Sequence, residues 1–377
     1  MKRNIWQTLS FLGLLFLLVG CGDASKGDIH SSPAAIHEFS LPTAKSHPLS
    51  LTTGPDGNLW FMEVDGNKIG RITIDGTITE FSLPTPASKP ASLLTGPDGN
   101  LWFAETQGNK IGRITSQGML TEFPLQTPIP DPTKPYPGPT DLIIGPNHNL
   151  WFIDVAGNKI GRITPVGSIT EFPILSADSY SGSLIVGSDG NLWFAETRTD
   201  RIGRMTPDGA LTEFPLPPSA APEKLCRGSD GNLWFTEEGT GTIGRISPAG
   251  TITEFHLPTS QVPPFIATIV NGPDGNIWFT GDRNKIGRIS ATGSMTEFSV
   301  PTVDSEPTGI VPASDGALWF IEFYSNKIGR ITTSGTISEF ALPTAKSHPV
   351  VLVMGPDGNL WFTEADGNKI GFLTIRK

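Results

Sequence analysis

Cysteine is scarce in this sequence, since only Cys21 and Cys226 occur among its 377 residues. An internal disulfide is impossible if Cys21 carries a lipid, and Cys226 is expected to be a small buried side chain rather than a nucleophile. Several catalytic signatures are also missing: there is no Cys-x-x-Cys, no His-Glu-x-x-His, no serine elbow, and no Gly-x-Gly-x-x-Gly that follows a strand to open a helix. The sequence therefore gives no support to dinucleotide binding or to these hydrolase classes.

Basic residues are outnumbered, because 27 Lys and Arg stand against 37 Asp and Glu and the formal net charge is −10. Nucleic acid and anionic membrane surfaces repel an acidic protein, so neither is expected as a partner. Turn-forming residues are abundant (43 Gly and 34 Pro), yet 37% of residues are hydrophobic, which is more than a disordered chain contains. Many short strands joined by tight turns are the structure that this composition predicts.

The N-terminus has the layout of a signal peptide. Lys2 and Arg3 precede an apolar stretch from Leu9 to Val19, which is too short to span a bilayer as a mature helix. The segment Leu18-Val19-Gly20-Cys21 resembles the lipobox of bacterial lipoproteins, and this resemblance implies that Cys21 is acylated and becomes the first mature residue. An ordinary secretory signal with a chance cysteine is the alternative.

These features divide the chain into a signal peptide (1–20), a small and polar flexible tether (21–35) and one domain (36–377). The expected protein is exported and anchored in a membrane of the cell envelope. It would contact that membrane only through its lipid, and it is expected to be a monomer.

One unit is repeated eight times along the domain. Trp-Phe recurs at intervals of 41 to 49 residues, at Trp60, Trp102, Trp151, Trp193, Trp234, Trp278, Trp319 and Trp361. A period of about 40–45 residues with four strands per unit is typical of a β-propeller blade. In the first unit the predicted strands a to d cover Leu49–Thr53, Leu59–Phe61, Lys68–Ile74 and Thr77–Leu83. The fold class is therefore all-β, an eight-bladed propeller.

The hairpin between strands c and d predicts a register. A two-residue loop at Asp75-Gly76 places Arg71 opposite Glu80. The same spacing recurs in Arg113/Glu122, Arg162/Glu171, Arg204/Glu213, Arg245/Glu254, Arg288/Glu297 and Arg330/Glu339. Charge pairs repeated in every blade are expected to be structural, because a binding site would not be copied all round the ring.

The two ends of the domain predict how the ring closes. It begins with a lone d-strand, Ile36 to Pro42, and ends on a c-strand, Lys369 to Thr374, with Phe372 where Arg would oppose Glu38. The first strand is therefore expected to complete the last blade, which removes an open sheet edge. The proline-rich insertion from Thr127 to Pro139 is expected to be a loop on one face.

The repeats resemble the virginiamycin B lyase family, most clearly at 96–105 (Gly-Pro-Asp-Gly-Asn-Leu-Trp-Phe-Ala-Glu) and 108–115 (Gly-Asn-Lys-Ile-Gly-Arg-Ile-Thr). The resemblance extends from about residue 36 to 375. It implies a propeller with the same strand exchange, and a Mg²⁺-assisted elimination that opens a cyclic depsipeptide at its ester bond. It also implies seven blades, so seven is the alternative to the eight counted here.

The resemblance further implies catalytic histidines directly after the proline that opens a strand a. The matching positions hold no histidine; they are Leu49, Ala91, Thr140, Gly182, Glu223, Ala267, Thr308 and Val350. Glu306-Pro307-Thr308 keeps a glutamate that precedes one such proline in the family. The family's acid four residues after a tryptophan is matched only by Glu238 and Asp282.

Residues peculiar to single blades, in the d-to-a and b-to-c connections, are the candidate site. Glu306 and Glu238 are the catalytic candidates; Glu238, Asp282 and Glu306 could hold Mg²⁺ or Ca²⁺; and five residues are candidate ligand contacts, namely His47, His348, Arg227, Lys224 and Tyr324. A solvated acidic rim and a duplicated exposed loop are the corresponding structural alternatives. The carboxyl group after each Trp-Phe pair is expected to support the scaffold.

Two functions remain open from the sequence. One is a binding propeller that holds a small molecule, peptide or glycan over the channel and lacks the family's histidines. The other is a metal-dependent lyase, of the streptogramin type, or a hydrolase. Fold alone does not decide between them.

Overall fold

The computed structural model describes residues 35–126, 128, 138–258, 266–281 and 284–375. Its strands form eight four-stranded antiparallel sheets, the blades. The predicted signal peptide, the tether with Cys21, most of the proline-rich insertion and Asp282 lie outside the described residues. In the described part, no helix has both the length and the apolar character needed to span a bilayer.

Blades 1 to 4 follow one another along the chain. Blade 1 contains β2 (Pro48–Thr53), β3 (Leu59–Glu63), β4 (Lys68–Ile72) and β5 (Ile78–Ser82). Blade 2 contains β6 (Pro90–Thr95), β7 (Leu101–Glu105), β8 (Lys110–Ile114) and β9 (Leu120–Pro124). Blade 3 contains β10 (Pro139–Ile144), a 3-10 turn (Pro146–His148), β11 (Leu150–Asp154), β12 (Lys159–Ile163) and β13 (Ile169–Pro173). Blade 4 contains β14 (Ser181–Val186), β15 (Leu192–Glu196), β16 (Arg201–Met205) and β17 (Leu211–Pro215).

Blades 5 to 8 repeat the pattern. Blade 5 contains β18 (Pro222–Arg227), β19 (Leu233–Glu237), β20 (Thr242–Ile246) and β21 (Ile252–His256). Blade 6 contains β22 (Ile266–Asn271), β23 (Ile277–Gly281), β24 (Lys285–Ile289) and β25 (Met295–Ser299). Blade 7 contains β26 (Pro307–Pro312), β27 (Leu318–Glu322), β28 (Lys327–Ile331) and β29 (Ile337–Ala341). Blade 8 contains β30 (Pro349–Met354), β31 (Leu360–Glu364), β32 (Lys369–Leu373) and β1 (Ile36–Ser40).

The ring closes as the sequence predicts. Strand β1 pairs antiparallel with β32, with Phe39 opposite Ile370 and Glu38 opposite Gly371. The innermost strands of neighbouring blades are in contact all round, including β2 of blade 1 with β30 of blade 8. Eight blades and the strand exchange are therefore confirmed, and the seven-bladed alternative is wrong.

Each blade buries its faces against its neighbours. Trp60 and Met62 of blade 1 belong to one apolar cluster with Leu93 and Phe103 of blade 2. Within blade 1, Trp60 stacks on Phe81 with ring centroids 5.5 Å apart, and the guanidinium of Arg71 lies 5.6 Å from the centroid of Trp60. This aromatic and cationic stack fills the outer half of the blade, and related stacks recur in the other blades.

The predicted register of the c–d hairpin is wrong by one residue. Arg71 pairs with Thr79, and Glu80 pairs with Gly70. The reason is a three-residue turn, in which Gly76 adopts φ +91° and the Thr73 N–H donates to the carbonyl of Thr77. In the last blade, likewise, Phe372 pairs with His37 rather than with Glu38.

The shift gives the two charges separate roles. The Glu80 carboxylate accepts a hydrogen bond from Lys68 Nζ at 2.6 Å and from Thr43 Oγ1 at 2.6 Å, in the connection that leads into the blade. Arg71 donates to the carbonyl oxygen of Ser116 in blade 2, at 3.0 Å. Both residues are therefore structural, as predicted, but through links between blades rather than through each other.

A buried carboxyl ends strand b in seven blades, at Glu63, Glu105, Asp154, Glu196, Glu237, Glu322 and Glu364. It lies beneath the following turn: Ser325 Oγ donates to Glu322 at 2.7 Å, and the Gly157 N–H donates to Asp154 at 3.1 Å. These contacts support the prediction of a scaffold role.

Candidate functional site

The d-to-a and b-to-c connections meet on one face of the ring, which we call the channel face. The Val64 N–H donates to the carbonyl of His47 and the Asp65 N–H to that of Ser46, so the two connections of blade 1 are joined. The Asp366 N–H donates to the Ser347 carbonyl in the same way in blade 8. Side chains of these loops therefore share one surface, as predicted.

The residue just before strand a has a left-handed backbone in six blades, although none of these residues is glycine. They are His47 (φ 56°), Lys89 (51°), Tyr180 (49°), Ala221 (46°), Glu306 (46°) and His348 (49°). A Cβ atom makes this conformation costly, and glycine would avoid the cost. The scaffold thus fixes the direction of one side chain per blade and leaves its chemistry variable.

An inner polar cluster lies on blades 3 and 5. Glu223 and Lys224 are neighbours on β18, and Lys224 Nζ lies 3.1 Å from Glu223 Oε1. Asp141 on β10 and Glu238 after β19 complete the group through charge interactions with Lys224. Glu223 and Asp141 are buried, at 7% and 6% exposure.

The charges in the inner cluster are strongly coupled. Burial raises the pKa of Glu238 well above its ordinary value, and a hydrogen bond with Glu223 raises it further. Burial also raises the pKa of Asp141 to about 6, although the charge of Lys224 opposes this. Burial alone would lower the pKa of Lys224, but Glu223, Asp141 and Glu238 together raise it. Burial and the neighbouring Glu223 thus raise the pKa of Glu238 and favour its protonated form, while the Lys224 ammonium lies against the Glu223 carboxyl group.

Asp141 also has a structural role. Its Oδ2 accepts a hydrogen bond of 2.5 Å from the backbone N–H of Leu184 in the next blade. Ser92 Oγ accepts one of 2.8 Å from Leu142 N–H at the equivalent place. Asp141 thus occupies the position that Ser92 has in blade 2, where the side chain joins the innermost strands of two neighbouring blades.

A second group, the rim row, crosses blades 8, 1 and 2 and consists of His348, Asp366, His47, Asp65 and Lys89. His348 Nδ1 lies 2.5 Å from Asp366 Oδ2, and Lys89 Nζ lies 2.5 Å from Asp65 Oδ1. Between these pairs, His47 Nδ1 lies 4.0 Å from a carboxylate oxygen of each aspartate. The two histidines therefore lie on adjacent blades, as ring closure predicts, and one carboxylate stands between them.

Aromatic side chains of blade 7 adjoin the rim row. The ring of Phe323 is stacked on that of His348, with centroids 4.8 Å apart. The ring of Tyr324 meets both in edge-to-face contacts, at 5.0 Å from Phe323 and 6.4 Å from His348. The imidazole of His348 is thus held from two sides, by a carboxylate and by a ring.

The other predicted site residues are dispersed. Glu306 is on the rim of blade 7, where its carbonyl accepts from the Phe323 N–H, whereas Glu238 is in the inner cluster of blade 5. Asp282, the third predicted metal ligand, lies outside the described residues. Among the residues that the structure does describe, no three His, Cys, Asp or Glu side chains are grouped so that they could hold a metal ion.

Arg227 and Cys226 are remote from this face. Arg227 pairs with Leu233 at the end of β18 that leads into the a–b turn, so it lies at the opposite edge of the blade from the d–a and b–c loops. Cys226 is buried in the apolar cluster that contains Trp234 and Phe279, and burial raises the pKa of its thiol. It has the character of a core residue, not of a nucleophile.

Asp65 and Asp366 were not predicted from the sequence. Both lie in Asp-Gly-Asn segments, which resemble the turns that recur in the chain. A signal was nevertheless present: the two blades with this aspartate are also the two with histidine before strand a.

Together, the closed ring of eight four-stranded sheets and its variable polar rim define the class of this protein, a β-propeller with a loop-built face. The profile of the virginiamycin B lyase family matches residues 27–181 and 133–377, so the chain belongs to that family.

Solved structures agree with this membership. A streptogramin B lyase is 34% identical, with a TM-score of 0.64, over 91% of this chain and 98% of its own. The selenomethionine-substituted virginiamycin B lyase of Staphylococcus aureus is 33% identical, with a TM-score of 0.64, over 91% of this chain and 100% of its own. A catalytically inactive histidine-to-alanine variant of the Staphylococcus aureus lyase, solved with quinupristin, is 32% identical, with the same TM-score and the same coverage.

Proposed function

We propose that this protein is a lipid-anchored, exported binding propeller, which holds a small molecule, peptide or glycan at its channel face without cleaving it. The observation that carries the proposal is the chemistry of the positions after the strand-a prolines. None of them is a histidine, and the one ionisable residue among them, Glu223, is in an ion pair with Lys224. A carboxylate engaged in this way is a poor substitute for a free imidazole base.

The inactive variant of the Staphylococcus aureus lyase supports this proposal. In that protein the replacement of one histidine by alanine gives a catalytically inactive chain, and the structure was solved with quinupristin. Loss of the histidine and the presence of a ligand are therefore compatible in this family. We infer that the present chain has the same combination by nature.

The proposed anchor rests on the sequence of the N-terminus. A basic start, a short apolar stretch and Cys21 after Leu18-Val19-Gly20 are the features of a lipoprotein signal. Metabolic labelling with palmitate in a bacterial host tests it, with Cys21→Ala as the control. Equal label in both chains would contradict acylation at Cys21.

A titration with quinupristin tests the binding function. Calorimetry of the full-length chain should show saturable binding, and mass spectrometry should find the cyclic ligand intact after prolonged incubation with Mg²⁺. Glu223→Gln should leave the ligand intact as well. Turnover that stops with EDTA would refute the proposal.

Family membership at 34% identity favours one second function, a metal-dependent lyase or hydrolase. In the described part of the chain, however, the residues do not fit Mg²⁺ well. Lys224 places an ammonium 3.1 Å from Glu223, where a cation would have to bind, and burial beside Glu223 raises the pKa of Glu238, which disfavours its ionised form. Magnesium takes ionised carboxylates and water. The same assay decides, because a linear product formed only with Mg²⁺ would establish this function.

A further inference from the structure

The rim row is a continuous line of polar side chains. Successive contacts of 2.5, 4.0, 4.0 and 2.5 Å join His348, Asp366, His47, Asp65 and Lys89. The line crosses three blades at the part of the ring where the first strand closes the last blade. A ligand laid along it would contact several blades at once.

Both aspartates of the rim row have a close polar partner. Lys89 neutralises Asp65, and the Asp366 carboxylate accepts a hydrogen bond from His348. Donors and acceptors therefore alternate along the row, which has two aspartates to one lysine and so a net negative formal charge with both histidines neutral. A hydroxyl group both donates and accepts, so the hydroxyl groups of a polyhydroxylated ligand can pair with donors and acceptors along such a line.

The end of the row is aromatic. Tyr324 is half-buried, and its ring stands edge-on to His348 and to Phe323 beneath it. The same turn position holds Asp65, Gln107, Ala156, Arg198, Gly239 and Asp366 in other blades, so the aromatic ring belongs to this place alone among those turns. Aromatic rings supply apolar contact area at little entropic cost, and sugars present apolar C–H faces beside their hydroxyl groups.

The backbone fixes the direction of three side chains in the row. His47, Lys89 and His348 have left-handed φ values of 56°, 51° and 49°. Glycine would adopt this conformation without strain. The same backbone recurs at Tyr180, Ala221 and Glu306, so it aims one side chain per blade at this face, and the row is where these side chains meet aspartates.

From these observations we propose that the rim row and Tyr324 form a binding site for a neutral sugar. The sugar ring packs against Tyr324, and its hydroxyl groups exchange hydrogen bonds with the aspartates, the histidines and Lys89. This inference rests on the proposed binding function and gives the class of ligand, a glycan rather than a peptide.

Calorimetric titrations of the full-length protein with neutral oligosaccharides test the proposal. Hexamers of β-linked glucose, α-linked glucose and N-acetylglucosamine serve as probes, with spermine and quinupristin as non-sugar comparisons. We expect saturable binding of at least one hexamer. Tyr324→Ala and Asp366→Asn should each weaken it by about tenfold or more.

Tyr180→Ala is the matched control. Tyr180 is an aromatic rim residue with a left-handed backbone (φ 49°), but it lies on blade 4, away from the row. Its removal should leave the sugar affinity unchanged. Thermal unfolding of all three variants shows whether they are folded, and Asp366→Asn, which keeps the shape of the side chain, remains informative if Tyr324→Ala is unstable.

Three outcomes would overturn the sugar site. They are no binding of any hexamer, equal weakening by Tyr180→Ala, and binding of spermine that the row variants abolish. Binding of quinupristin without sugar binding would overturn this inference and leave the binding function standing. If quinupristin, spermine and all hexamers fail to bind, both proposals fall.

Discussion

Replacement of Glu105 by glutamine should stabilise the protein at alkaline pH. Glu105 is fully buried at the end of β7. Burial raises the pKa of its carboxyl group to about 7 from an ordinary value of 4.5, and the nearby charge of Glu122 adds to the effect. The folded protein thus holds this proton more tightly than the unfolded chain does.

The sign and size of the effect follow from linkage. Because the pKa is raised on folding, the stabilisation is complete below pH 4.5 and is lost as the pH rises through 7. At about 1.4 kcal/mol per pKa unit, the free energy of unfolding should fall by about 3 kcal/mol between these pH values. Screening by the polar turn above the carboxyl group lowers the expected fall to about 2 kcal/mol. Glutamine cannot ionise, so Glu105→Gln should gain that amount at pH 8.5 and change stability by no more than about 1 kcal/mol at pH 4.5.

Urea unfolding at pH 4.5 and pH 8.5, followed by tryptophan fluorescence, measures the difference. Glu122→Gln is the control of opposite sign. Burial alone would raise the pKa of Glu122, but Lys110 and Thr85 bind the carboxylate and hold its pKa below the ordinary value. This variant should lose stability at pH 8.5. If Glu105→Gln is destabilised equally at both pH values, the carboxylate is required as a charge and the reasoning is refuted.

Three further predictions concern packing and charge. Lys224→Met should lower the free energy of unfolding by about 3 kcal/mol, measured by thermal and urea denaturation, because it leaves the buried carboxylate of Glu223 unpaired; an unchanged midpoint would contradict this. Gly112→Ala should lower the free energy of unfolding by about 1–3 kcal/mol in the same assays, because its Cβ would lie 2.2 Å from the ring of Phe103. At Gly99 a Cβ would have no atom within 4 Å, so Gly99→Ala is the control that tests the turn conformation alone. In a Cys21→Ala variant, Cys226 should react with an aromatic disulfide reagent only after unfolding, since its thiol is buried and its pKa is raised; rapid labelling of this native variant would show that the core position is wrong.

The architecture could be predicted because each of its determinants repeats. Eight tryptophans set the number of blades, and the unpaired strand at either end of the domain determined the closure that Phe39 and Ile370 display. The register of the c–d hairpin could not be predicted in the same way. Asp75-Gly76 reads equally well as a two-residue loop or as the end of a three-residue one, and only the position of Gly76 within the turn separates them.

The candidate site was only partly predictable, because its residues do not repeat from blade to blade. Histidines in one blade and not in the next mark a variable position, so ring closure was enough to place His47 beside His348. Asp366 could not be recognised from the sequence, because its Asp-Gly-Asn segment looks like an ordinary turn. Its contact with the imidazole of His348, 18 residues away, is visible only in the structure. Arg227 was misleading, since a residue peculiar to one blade can lie at either end of a strand.

The rim row differs from the scaffold in that its residues do not repeat round the ring. The tryptophan stacks, the buried carboxyl groups and the Lys68–Glu80 type of ion pair recur round the ring and stabilise each blade. Hydrogen bonds such as that from Arg71 to the Ser116 carbonyl join one blade to the next. The residue before strand a keeps a left-handed backbone whether it is histidine, tyrosine or glutamate, so the scaffold fixes its direction and accepts different side chains there. A new ligand therefore requires substitutions at a few rim positions only, and for this reason the family resemblance of the whole chain says more about its fold than about what it binds.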